Sequence, residues 1–199
     1  MDEKATLHKY LRAQRENLLA KLDELGEYDA RRPLTPTGTN LLGLVKHVGS
    51  VQLAYFGLVF GRPADRQPAW MADDAPMDAD MWATADEPRA DIVDFYRYSG
   101  EHSDATIELL PLDATGMVPW WPEERRDVTL HQILVHLCVE TARHAGHADI
   151  LRELLDGAAR NGPADPNIPD RAAAEWAEYR AGLEAAAVEA AGAEASRAG

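Results

Sequence analysis

The chain has 199 residues, enough for one domain with a full apolar core and a small appendage. It carries 34 acidic against 20 basic residues, and its few lysines form no basic patch, which argues against nucleic-acid binding. The start, MDEKATLHKY, is charged and helical rather than signal-like, and no apolar run reaches the length needed to cross a bilayer, so a cytoplasmic protein with no membrane partner is expected.

Leucines at 7, 11, 18, 22 and 25 share one face of a first amphipathic helix, which Gly26 stops. A connector rich in Pro, Gly and Thr follows, and Thr39 or Asn40 caps a second, far more apolar helix that runs to Gly61. Its stripe is Leu41, Leu44, Val48, Val51, Tyr55 and Leu58. His47 lies at the edge of that stripe and points into a helix–helix seam, a place where a lone histidine is usually a hydrogen-bonded core residue. Residues 62–88 form a long connection with Trp70, Trp82, Met71, Met77 and Met81, which either tuck it onto the bundle or wall a pocket.

Asp86 and Pro88 open a third helix that reaches Leu110, with Ile92, Phe95, Tyr96 and Ile107 as its contacts. Its small and polar middle, Ser99 to Ser103, either is exposed or faces something wet, and His102 reads as a surface residue. Before the next helix stand Trp120, Trp121, Arg125 and Arg126. An aromatic pair with adjacent guanidiniums suits the mouth of a pocket for an anionic ligand, or else a loop anchored by tryptophan burial with its arginines paired to nearby acids. After a proline-rich break, a last helix from about Asp170 puts Trp176, Tyr179, Leu183 and Ala186 on one side, a face able to dock on the bundle or on a partner subunit in a homodimer. Its alanine-rich tail should fray beyond Ala190.

The helix from Val128 to Asp156 carries the main clue. A stripe stepped by four and three runs Ile133, Leu137, Glu140, His144, His147, Leu151 and Leu154, with three polar residues where apolar ones belong. Glu140 and His144 are four apart and stack on one face, with His147 a turn further on. A carboxylate and imidazoles in a seam need partners. The spacing alone fits a metal site, a satisfied polar network or an exposed polar face. Two histidines and a carboxylate are a ligand set that leaves metal positions open, and His47 is the obvious donor from another helix. His131 and His136 flank the stripe, and Cys138 reads as a small buried hydrophobe.

These features, His47 within LVKHVGSVQLAYFG and the later ETARHAGHADILRE, resemble the DinB-like superfamily, which includes YfiT-like and mycothiol-dependent maleylpyruvate isomerase-like proteins. The resemblance covers residues 5–157 and is most specific from Glu140 to Glu153. It implies an all-α fold, a four-helix bundle with long crossover loops over 1–157; the linker and extra C-terminal helix expected over 158–199 lie outside it. It implies a divalent metal, zinc first and nickel or iron next, held by His47, Glu140 and His144. Many members have histidine where this chain has Glu140, as the isomerase branch does not, and His147 stands where many carry glutamine, as a neighbour or substitute ligand. The implied activity is a metal-dependent S-transferase or isomerase using a low-molecular-weight thiol of the mycothiol type and an electrophilic substrate. The nucleophile would be a thiol or water held at the metal, with no side chain assigned to catalysis, and Trp120, Trp121, Arg125 and Arg126 would hold the carrier or electrophile. The alternative is a non-catalytic metal- or ligand-binding stress protein of the same fold.

Overall fold

The computed structural model describes residues 2–157 and 168–198. The chain divides into two compact units, Met1–Asn161 and Gly162–Gly199. The first contains α1 (Glu3–Ala20), a short α2 (Glu27–Arg31), α3 (Leu41–Phe56), α4 (Arg89–Leu109) and α5 (Leu130–Asp156), with a small antiparallel hairpin of β1 (Thr115–Met117) and β2 (Asp127–Thr129). The four long helices form the bundle: α3 packs on α4 and α5, and α1 packs on α5 and α4. The fold is the mostly-α, DinB-like bundle expected. The second unit holds α6 (Ala173–Ala198), which continues past Ala190 to Ala198. The proline-rich break falls largely on residues 158–167, outside the described residues.

Helix starts follow local chemistry. Asp2, Asn40 and Thr129 each lend a side-chain oxygen to a backbone N–H in the first turn, at 2.7, 2.7 and 3.2 Å, bonds that contribute on the order of 1 kcal/mol apiece. Helix ends differ from the sequence expectation. The first helix closes at Ala20 because the chain tightens into three-residue turns and reverses at Glu24, φ 62°. The second closes at Phe56 rather than Gly61, since Gly57 turns it into a short 3-10 segment over Leu58–Phe60, and Leu58 ends up exposed. The helix expected from Val128, α5, begins at Leu130 because Asp127–Thr129 pairs as a strand.

Leu41–Phe60 is apolar and long enough to meet the length and hydropathy of a membrane span, which amends the expectation that no such run exists. Its apolar surface is used inside the bundle, with 78% of an 18-residue window within it buried.

The core has two apolar halves. One gathers Leu18, Leu22, Leu41, Leu44, Val48 and Ile92; the other gathers Leu11, Phe56, Ile107, Ile133, Leu134 and Leu137. Between them lies a polar layer. The buried Arg15 donates to Gln52 Oε1 at 3.2 Å and to the Gly100 carbonyl at 2.9 Å, and also pairs with Asp104. Tyr96 donates its hydroxyl to the Arg15 carbonyl at 2.9 Å. This explains the small middle of α4: Ser99 and Ser103 are fully buried, bonded to carbonyls of their own helix, and Gly100 makes room for the guanidinium.

The long connection is fastened rather than loose. Trp70 donates to Ser50 Oγ at 3.1 Å and meets Phe95 edge-on, whereas Met77 is 96% exposed and Trp82 is half exposed. Tucking is therefore the work of Trp70 and not of the tryptophans and methionines as a set.

Candidate metal centre and adjoining cleft

On α3, His47, Val51 and Tyr55 follow at four-residue steps and so share one face, as do His136, Glu140 and His144 on α5. The helices run antiparallel there. The rings of His47 and His144 are 4.9 Å apart, and those of Tyr55 and His136 are 5.0 Å apart.

The buried face of α5 is shifted by about one residue from the expected stripe. Leu137, Thr141, Ala145, Ala148 and Leu151 are buried, Glu140 and His144 are half-buried beside α3, and His147 and Leu154 are exposed. A strict four-three alternation assumes 3.5 residues per turn and drifts off the face of a 3.6-residue helix. Small residues at 141, 145 and 148 fill the seam, which leaves the polar pair on its shoulder. His147 remains a neighbour of His144, with ring centroids 5.5 Å apart.

His47, Glu140 and His144 each offer a donor atom, all within 4.8 Å of one another. His144 Nε2 is 2.9 Å from Glu140 Oε1, and His47 Nε2 is 3.8 Å from the same oxygen. The other His47 nitrogen, Nδ1, is 2.7 Å from Asp80 Oδ2. With its Nδ1–H committed to Asp80, a neutral His47 aims the Nε2 lone pair at a carboxylate. Protonation of the ring, or a cation among the three groups, relieves that repulsion. The buried Nδ1 of His144 has no hydrogen-bond partner among the described residues, so its ring is not fixed there by an alternative network.

Burial opposes ionisation of Glu140, but the hydrogen bond and charge of His144, with the charges of His47 and His136, outweigh it and hold the carboxyl below its ordinary range. Asp80 behaves alike: burial opposes, and the His47 bond and charge prevail, lowering it. His144 is pushed down, first by burial and then by the charge of His47, against the bond from Glu140. An ionised carboxylate between imidazoles of which one resists protonation is the donor state a divalent cation requires, so these residues fit a metal.

Beside this cluster a cleft of about 360 Å3 is lined by Val51, Tyr55, Trp70, Met71, Asp80 and Trp120, among others. Tyr55 accepts two indole N–H groups, from Trp120 at 3.1 Å and Trp121 at 2.9 Å. A second cleft is lined by Trp121, Arg125 and His136, among others. The four residues expected at a pocket mouth are thus divided: Trp120 faces the cleft with Asp80, Trp121 and Arg125 face its neighbour, and Arg126 lies 3.6 Å from Glu123.

Sequence reasoning missed Asp80 and the clustering of Tyr55 with His136. Tyr55 was within reach, two turns from His47 on the same face. Asp80 sits in a segment without period and gave no local signal.

A family model described as Mycothiol-S-transferase matches residues 6–157. No curated protein matches the chain.

Proposed function

Because the chain belongs to the mycothiol S-transferase family, a member of the DinB-like superfamily, we propose that it is a metal-dependent enzyme that transfers or isomerises through a small thiol. The observation that carries this reading is the convergence of His47, Glu140 and His144 on one point between α3 and α5, beside a cleft. The family supports a mycothiol-related S-transferase role, and the donor set supports a divalent metal, with zinc the first choice and nickel or iron next.

When bound, the metal supplies a Lewis acid that favours the thiolate form of a thiol over the thiol at neutral pH. The protein's own groups do the rest. Glu140 and His144 present their donors from one helix face, His47 presents Nε2 from the opposite helix, and Asp80 holds the His47 ring in that orientation. In the transfer the sulfur forms a bond to an electrophilic carbon, a leaving group departs with the electron pair of the broken bond, and the thiol proton goes to solvent. Val51 and the indole of Trp120 provide an apolar wall for the electrophile, and Tyr55, Trp121, His136 and Arg125 a more polar end for the carrier. A reducing cytoplasm keeps such a thiol available.

The test joins metal analysis to turnover. Tag-free protein purified without chelators is assayed for zinc, nickel and iron, and metal-loaded protein is incubated with mycothiol and chlorodinitrobenzene. About one metal per chain, and a rate that falls to background in His47→Ala, are expected. Stoichiometric metal and tight thiol binding without turnover across a broad panel of electrophiles would instead make the protein a binding bundle. Absence of metal, with no gain in melting temperature on adding any of the three, would refute the metal reading.

A further inference from the structure

We infer that Asp80 is the positioning residue of the metal centre and that Lys46 holds Asp80 in place, so that the centre depends on how residues 79–87 dock against α3. The inference rests on the metal reading of His47, Glu140 and His144. Neighbouring residues of α3 grip the same piece of chain. Lys46, 1% exposed, donates to the Ala79 carbonyl at 2.6 Å, to the Trp82 carbonyl at 2.8 Å and to both Glu87 oxygens at 2.8 and 2.9 Å. His47 meets Asp80 at 2.7 Å.

The two carbonyls flank Asp80 in sequence, so the ammonium fixes the backbone immediately before Asp80 and two residues after it. Glu87 completes the clamp by also accepting the Thr84 N–H at 2.8 Å. One further contact keeps the segment close, Asn40 Nδ2 donating to the Met81 carbonyl at 3.2 Å, while outside the segment the Lys46 ammonium also lies 4.3 Å from the Trp70 ring centre.

A fully buried lysine is costly unless each of its donors is used, and here they are spent on loop carbonyls and a carboxylate rather than on the helix itself. The result is a carboxylate held in register against an imidazole that must present its other nitrogen to an ion. Carboxylates so placed set the tautomer and orientation of a ligating histidine. Asp80 also lines the cleft, so one latch shapes both the metal centre and the cavity beside it.

The experiment measures zinc affinity by competition with a chromophoric chelator, without reference to turnover, with the fold of each variant checked by circular dichroism. Asp80→Ala is expected to weaken zinc binding about tenfold to a hundredfold. Asp80→Asn, whose amide oxygen can accept the same Nδ1–H, is expected to recover to within roughly fivefold of wild type. The double variant Lys46→Met with Glu87→Gln removes both charges together; Glu87→Gln alone is the milder form should the double variant fail to fold. Either clamp change should weaken zinc binding in the wild-type background and add nothing in the Asp80→Ala background, because both act through one carboxylate.

Zinc affinity of Asp80→Ala within twofold of wild type would overturn the inference alone. So would Asp80→Asn as weak as Asp80→Ala, or a clamp effect of equal size in both backgrounds. Failure of the wild-type protein to bind zinc, nickel or iron would overturn the metal reading and the inference with it.

Discussion

Substituting alanine for Gly43 sets two opposed effects against each other, and the structure decides which prevails. Gly43 lies in the first turn of α3, where alanine is favoured over glycine by about 0.5–1 kcal/mol on backbone entropy. Against this, a Cβ at position 43 would stand 1.8 Å from the Met81 carbonyl oxygen and 2.7 Å from its carbon, both backbone atoms. To regain ordinary contact the Met81 carbonyl must retreat by roughly 1.5 Å.

That retreat breaks the Asn40 bond to Met81 and drags Asp80, whose 2.7 Å contact with His47 cannot lengthen so far and remain a hydrogen bond. It also loosens the carbonyls that satisfy Lys46. Overpacking against backbone costs about 1–3 kcal/mol, and under-satisfied buried donors add on the order of 1 kcal/mol more, so the helical gain is outweighed. The expected net loss is about 2 kcal/mol, a fall in melting temperature of roughly 4–8 °C for a unit of this size. Urea unfolding and thermal melts of the metal-free protein measure it. A Gly43→Ala variant as stable as wild type or more so would refute the close docking of Met81 on α3, and with it the latch.

Two other outcomes concern the rest of the bundle. Arg15→Met removes the bonds to Gln52, Gly100 and Asp104 and strands a carboxylate that, among the described residues, keeps His8 at 2.7 Å and a distant Arg12 contact at 3.8 Å. Since Asp104 retains some exposure, the loss should fall near the lower end for a broken buried pair, about 3 kcal/mol by urea unfolding, and a change under about 1 kcal/mol would contradict the proposed polar layer. His102, with a buried Nδ1 that lacks a partner among the described residues, has its basicity lowered first by burial and then by the charge of Arg62. The unfolded chain therefore takes up the proton first, and stability should decline as pH falls from about 6.5 toward the lowered folded value and then level off. His102→Asn should flatten that part of the stability–pH curve, and an unchanged curve would exclude His102 as its source.

Much of this architecture can be read from residue order. Leucine spacing marks α1 and α3, Asn40 and Pro88 mark starts, and Glu140 four residues before His144 marks a polar face that His47 meets across a seam. These signals are local or rest on a strong period. What escaped depends on contacts between distant segments. Asp80 reaches His47 only because Lys46 folds a patternless stretch back onto α3. The three-residue strands are too short to show alternation, and the shift of the α5 stripe emerges only from accumulated helical drift. The Ser99–Ser103 turn announced something polar without naming Arg15, which lies 85 residues from its Gly100 partner.

The paired ladders of α3 and α5 have a consequence for how this chain can vary. His47 and Tyr55 lie eight residues apart, about 12 Å along the axis, opposite His144 and His136 at the same spacing in reverse. Exchanging one side chain on the ladder alters one rung and leaves the others facing each other. Adding or deleting one residue between 47 and 55, however, turns everything beyond it by about 100° and moves the tyrosine off the shared face. Between these rungs the residue count sets the register of the site.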